Sequence, residues 1–249
     1  MTDFSYQLYS SRNFPPLSDT LKMVAAAGYR QVEGYGGLYG SDEAIETLRA
    51  GLGETGLAMP TSHFSYELVR DEPRRAIEIA KALDVKAVLV PFIGDHDRDA
   101  AAWAQFGRDL AEAGKPIQDA GFQFGWHNHA FEFADLGGED KPLDLILGGS
   151  EDVRLELDIA WAEVAGERAL DWVAKYADRM IAVHLKDIAP AGTAEDEDGW
   201  ADVGHGVLDW AAIIEATANT RAEYFVIEHD NPSDDKRFAT RSIAAANAL

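Results

Sequence analysis

Eight short apolar runs, each followed by a longer amphipathic segment, limit what this chain can fold into. A strand-then-helix unit repeated in this way builds a parallel sheet, because a parallel return needs a crossover long enough to hold a helix. The strands read as FSYQLY, YRQVEGYG, LAMPTSHF, KAVLVPF, FQFGWHNH, VRLELD, MIAVHLKDIAP and YFVIEHD. The first two helices are signalled by Ser18 and Ser41 as caps and by Gly28, Gly53 and Gly56 after their last apolar residues, and Pro73 suits the first turn of the third. Later helical periods run from Asp97 to Ala120, through PLDLILGG, over about 168–177, through VLDWAAIIEATAN and along SDDKRFATRSIAAANAL. Eight such units close naturally into a (β/α)8 TIM barrel, and 249 residues match the roughly 250 typical of that fold. An open, doubly wound sheet explains the count less well. Nothing resembling a linker or a low-complexity block divides the chain, so residues 1–249 are expected to form one domain.

Composition removes several classes of function. The chain has 44 acidic against 22 basic residues, a formal charge of −22, which repels nucleic acid and anionic lipid. No apolar run approaches the ~18 residues of a membrane span. Met1 to Phe14 lacks the basic-then-apolar order of a signal peptide, so a cytoplasmic protein is expected. With no cysteine, thiolate metal sites are excluded, and any metal must be held by His, Asp, Glu or water.

In a barrel the chemistry sits where strands end, so those positions carry the information. They hold Glu33, then His63, then His127, His129 and Glu132, then Asp158, then His184 and Lys186, and finally Glu228 and His229. Five of the seven histidines, 63, 127, 129, 184 and 229, fall there, which surface histidines scattered at random would not do. Alternation places His127 and His129 on one face and Asn128 on the other, while Glu132 is close enough in sequence to fold back over the same opening. Asp158 lies between LEL and IAW, where a carboxylate without a partner is costly; metal ligation relieves that cost, and so does an arginine or a helix cap. Glu33 suits an arginine partner equally well. Lys186 suits substrate oxygen or an ion pair with Asp187 or Glu156. Trp126, Trp161, Phe64 and Tyr35 offer apolar faces for a sugar, or simply core, and His96 and His205 are loop residues with weaker claims.

Taken together, HNHAFEF, LELDIAWAEVAG, VHLKD, GHGVLDW and VIEHD resemble the sugar isomerase/epimerase superfamily with a xylose isomerase-like TIM barrel. The resemblance covers essentially the whole chain, and its late motifs are specific as a set. Members include ketose 3-epimerases, inosose isomerases and dehydratases, and dehydratases or lyases acting on 3-keto sugars. The resemblance implies one divalent metal, Mn²⁺ first, with Zn²⁺, Co²⁺ or Mg²⁺ as alternatives, held by a Glu-Asp-His-Glu set from strands five to eight. Asp158, His184 and Glu228 match the last three positions. At the first, this chain has His127 in the direct strand position and Glu132 just downstream; Glu132 keeps the oxygen-rich set and is assigned as the ligand, leaving His127 as a substrate-side group or base.

The expected activity is sugar isomerisation or epimerisation, in which a base removes the proton between a carbonyl and a hydroxyl carbon. His127, Glu132, Glu228 and Lys186 are the catalytic candidates. Glu33, His63, Asn128, His129, Trp161 and Lys186 are the substrate-binding ones. Elimination from a 3-keto sugar or glycoside is the alternative outcome of the same site. No glycine-rich anion loop or arginine cluster appears near strands seven and eight, so the small-molecule substrate is expected to be an unphosphorylated sugar or polyol. An abasic-site endonuclease fits the fold but not the charge, and a sugar-binding barrel without chemistry is the remaining rival. Neither nucleic acid nor a membrane is expected as a partner; the resemblance allows a homodimer or homotetramer.

Overall fold

The computed structural model describes residues 3–249. Its chain opens with β1 (Phe4–Gln7), α1 (Leu17–Ala27), β2 (Gln31–Gly34), α2 (Asp42–Thr55), β3 (Ala58–His63), α3 (Tyr66–Asp71), α4 (Pro73–Ala82) and β4 (Ala87–Val90). There follow α5 (Ala100–Asp119), β5 (Gln123–His127), α6 (Pro142–Leu147), β6 (Arg154–Asp158), α7 (Ile159–Val164), α8 (Ala169–Lys175) and β7 (Met180–Leu185). A small hairpin, β8 (Asp187–Ile188) and β9 (Trp200–Ala201), precedes α9 (Trp210–Thr217), β10 (Tyr224–Ile227) and α10 (Asp235–Ala246). Eight parallel strands close in the order β1, β10, β7, β6, β5, β4, β3, β2, and β8 pairs antiparallel with β9 outside the barrel. No helix among the described residues is long and apolar enough to cross a membrane.

Alternation along each strand separates two cores. Val88 and Val90 of β4 join the large cluster between sheet and helices, together with Trp103, Phe106 and Leu110 of α5. Ala87 and Leu89 belong instead to a small separate cluster with Ile181 and Ala182. Each fully buried aliphatic or aromatic side chain in the large cluster contributes about 1.5–3 kcal/mol, so Leu110→Ala would cost ~2–5 kcal/mol once the cavity is counted. Close approach of strands explains Gly125, where a Cβ would stand 2.6 Å from the Arg154 carbonyl oxygen and 2.9 Å from Leu89.

Local signals fared unevenly. Ser41 caps α2 by accepting from the Ala44 amide, and Pro73 takes the first turn of α4. Ser18, expected as a cap, lies inside α1, because the extended backbone of Pro16 already starts that helix two residues earlier. The stretch 191–206 is glycine-rich and acidic and too long for a simple turn, which from sequence makes it a candidate lid; it folds partly into the β8–β9 hairpin. That hairpin is tied down where β7 ends: Asp187 accepts from the amides of Ile188, Gly204, Gly206 and Leu208 and from the Trp210 indole. Gly206 is required here, since a Cβ would run into the Asp187 carboxylate and the Ile188 carbonyl.

Candidate active site

Strand register determines which polar groups meet. Gln7 lies opposite Glu33, His127 opposite Glu156, and Asp158 opposite His184. Residues two apart on a strand point the same way, so Glu156 and Asp158 both face inward, at successive depths. The result is two overlapping quartets. The outer one is His127, Asp158, His184 and Glu228; the inner one is His63, His127, Glu156 and His184. In each quartet, one potential ligand atom per residue lies within 4.8 Å of the others.

Hydrogen bonds knit the inner tier. Glu156 Oε2 is 2.6 Å from His63 Nε2, 3.1 Å from His127 Nδ1 and 3.3 Å from His184 Nε2. Glu33 Oε1 accepts from Gln7 at 2.7 Å and is 2.8 Å from His184 Nε2. On the outer side, His184 Nδ1 is 2.9 Å from Glu228 Oε2. The Lys186 ammonium stands 2.7 Å from Asp230, 3.2 Å from Glu228 and 3.5 Å from Asp158, between the rings of Trp161 and Trp200. Its partners are therefore these three acids rather than Asp187 or Glu156.

Burial and neighbouring charge divide the protons. Burial pushes His127 down to about 3, helped by the nearby His184, so its ring is neutral. His129 is likewise held well below its usual range by burial, His127 and Lys186. Burial opposes a charge on His184 as well, but Glu156, Glu228 and Glu33 overcome it and raise its pKa. The His63 pKa is also raised, with Glu33 and Glu156 outweighing burial. Burial lifts Asp158 to about 6, although Lys186 and His184 pull the other way. Glu228 is held well below the carboxylate range because Lys186 and His184 outweigh its burial.

Several expected site residues make contacts away from the two quartets. Glu132, expected from sequence as the fourth metal ligand, is in neither quartet; the outer quartet has His127 beside Asp158, His184 and Glu228. A 3₁₀ turn over Phe131–Phe133 directs the Glu132 carboxylate away, so that it accepts from the Trp126 indole and the His129 amide, both at 2.9 Å. Its acid is buried and pushed well above its usual range. Asn128, expected at the substrate, bonds both ways with the Asp158 backbone. His229 turns against Phe238, away from the mouth. His205 is exposed, and His96 stacks on Phe131.

Above the quartets opens a cavity of about 730 Å³, lined by His63, His127, His129, Trp161, Glu228 and Asp230 at its polar side. Tyr9, Tyr35, Phe64 and Phe92 form apolar walls. Glu156, Asp230, Gln7, Tyr9, Phe92 and Trp200 were not singled out from sequence. For Glu156 and Asp230 the signal was present, two residues from Asp158 and Glu228. The wall containing Trp200 is fastened from outside: Arg237 reaches both Glu197 and Asp202, Arg241 pairs with Asp202, and Ser233 donates to Glu197.

Imidazole and carboxylate donors suit Mn²⁺, Zn²⁺ or Co²⁺. The buried Asp158 Oδ2 has no hydrogen-bond partner, a costly state that a divalent cation between His127, His184 and Glu228 relieves. The residues present therefore fit such an ion.

A family model described as a xylose isomerase-like TIM barrel matches residues 21–247. Among solved structures, a sugar phosphate isomerase/epimerase from Parabacteroides distasonis is 19% identical with a TM-score of 0.82, covering 99% of this chain and 93% of that one. A probable 3-DHS dehydratase from Bacillus anthracis involved in petrobactin synthesis is 13% identical with a TM-score of 0.78, covering 99% of both chains. A D-tagatose 3-epimerase-like protein is 18% identical, TM-score 0.74, over 99% of this chain and 96% of that one. Identities this low speak to the fold alone. No curated protein matches the sequence. With a match running from the first helix to the last around a barrel whose ionisable groups gather at one mouth, this chain belongs to the xylose isomerase-like TIM barrel family.

Proposed function

We propose that the protein is a divalent-metal-dependent isomerase or epimerase of an unphosphorylated keto sugar or inosose. The observation that carries this reading is the outer quartet, a set of two imidazoles and two carboxylates with one oxygen that makes no hydrogen bond, placed at the floor of a cavity of about 730 Å³. His127, Asp158, His184 and Glu228 would hold the ion, which when bound supplies positive charge to stabilise an enediolate as a C–H beside a carbonyl is deprotonated.

The other groups divide proton transfer between two sides of the mouth. His129 is neutral and lines the cavity, which suits it to take the proton. His63 has its pKa raised by Glu33 and Glu156, and with Nε2 held 2.6 Å from Glu156 it is Nδ1 that suits donation to substrate oxygen. Lys186, held behind Glu228 and Asp230, fixes those carboxylates and balances their charge. Trp161, Tyr35 and Phe64 exclude water and offer faces to a sugar ring. A proton-bearing His63 also suits departure of a β-hydroxyl, so elimination is the second reading.

The lining contains no lysine or arginine among the described residues, which supports a substrate without phosphate. Metal analysis of the purified protein, followed by a screen of ketoses, inososes and 3-keto sugars with and without chelator, tests the reading. One ion per chain and chelator-sensitive turnover are expected. A protein that binds no divalent ion, or that turns over a sugar phosphate faster than its free sugar, would count against it.

A further inference from the structure

Building on the metal-dependent reading above, the inner quartet acquires a role of its own. A neutral imidazole has one N–H and one lone pair, so the partner of one nitrogen decides what the other can do. His127 Nδ1 is 3.1 Å from Glu156 Oε2, and His184 Nε2 is 2.8 Å from Glu33 Oε1 and 3.3 Å from Glu156 Oε2. An ionised carboxylate only accepts, so these inner nitrogens carry hydrogens. The lone pairs of a metal-bearing site then fall on His127 Nε2 and His184 Nδ1. The second of these is the nitrogen that faces Glu228 Oε2 at 2.9 Å, a contact closed by a proton when no cation is present.

The inner quartet offers ligand types as good as the outer, yet both cannot be filled at once. They share His127 and His184, and serving both would strip two rings of both protons. Glu156 is fully buried, and its Oε2 meets all three inner histidines. We propose that Glu156 is a positioning residue: its Oε2 holds the Nδ1 proton of His127, and with Glu33 the Nε2 proton of His184, so that both rings present their other nitrogen to Asp158 and Glu228. Metal-ligating histidines commonly donate their second N–H to a carboxylate in this way, and removing that carboxylate weakens metal binding by about 10–100-fold.

Two measurements on the full chain test this. Co²⁺ titration followed by visible absorption compares wild type with Glu156→Leu, which keeps bulk without an acceptor, with Glu156→Gln, which restores one oxygen, and with Asp158→Asn. The expected result is one ion per chain throughout the Glu156 series, with affinity about 10–100-fold lower in Glu156→Leu and partly recovered in Glu156→Gln. Long-range ¹H–¹⁵N spectra of Zn²⁺-loaded wild type, which need no variant to fold, should show His127 protonated at Nδ1 and His184 at Nε2. Unchanged affinity in Glu156→Leu, or a His127 proton on Nε2, overturns the proposal. So does loss of the ion in Glu156→Leu while Asp158→Asn retains it, which would make the inner quartet the seat. A wild type that binds neither ion removes the metal-dependent reading itself, and this inference with it.

Discussion

Asp158 and Asp187 are both completely buried, one ending β6 and the other just past β7, yet their surroundings differ sharply. Five N–H groups converge on Asp187, and through it the hairpin wall and the start of α9 are tied to the barrel. Asp158 receives one amide, from Trp161, and leaves its other oxygen without a hydrogen bond. A buried carboxylate surrounded by donors serves structure, whereas one left short of donors, beside imidazoles and a cavity, is available for chemistry. Glu132 and Glu228 repeat the contrast: the first has both oxygens capped by N–H donors, and the second lines the cavity beside His184 and Lys186.

That contrast can be broken experimentally. Asp187→Ala should cost ~3–5 kcal/mol in urea unfolding, because several buried N–H groups lose their acceptor together. Near-native stability would mean that the hub is dispensable. Asp158→Asn should do the reverse, with divalent-ion affinity and turnover falling by more than ~100-fold, beyond the loss of a supporting partner, while the urea midpoint does not fall. In metal-free protein the same variant sharpens the point through pH. Asp158 has its pKa raised from 3.8 to about 6, so the folded state binds more protons than the unfolded one in that window, and the group's contribution to stability declines as pH rises through it. The stability difference in favour of Asp158→Asn should therefore widen between those pH values; a constant difference would speak against a buried charge that Lys186 and His184 only partly offset. Glu132→Gln should cost ~1–3 kcal/mol and leave metal content unchanged, since its amide N–H₂ must face one of the two donors. Loss of the ion there would restore Glu132 as a ligand. Phe92→Ala, on the exposed rim, should change stability by less than ~0.5 kcal/mol and show itself only in substrate KM.

The barrel was legible because eight repeats of strand and helix leave few closed arrangements, and strand ends then nominate the mouth. Part of the site was legible by the same alternation. Four strand ends contain polar residues two apart, His127 and His129, Glu156 and Asp158, His184 and Lys186, and Glu228 and Asp230. Taking each pair as a pair points to Glu156 and Asp230, which are passed over when Asp158 alone is taken at strand six and Glu228 with His229 at strand eight. Other features left no local trace. A 3₁₀ turn of three residues turned Glu132 back onto Trp126, and nothing in HNHAFEF distinguishes that turn from one pointing inward. Asn128 bonds to the backbone of a strand thirty positions away, and Asp187 gathers amides from across the hairpin loop, so both depend on tertiary neighbours that periodicity does not encode.

The fastening of the Trp200 wall to α10 has a consequence for the order of events on the ribosome. Glu197 and Asp202 are held by Ser233, Arg237 and Arg241, and β1 finds one of its two neighbours only when β10 arrives. Residues made early thus wait for residues made late, and neither barrel nor mouth can be completed on a partial chain. A nascent polypeptide lacking α10 would display its candidate ligand groups in an unsealed scaffold, so divalent-ion binding at the mouth should arrive abruptly with release rather than grow with length.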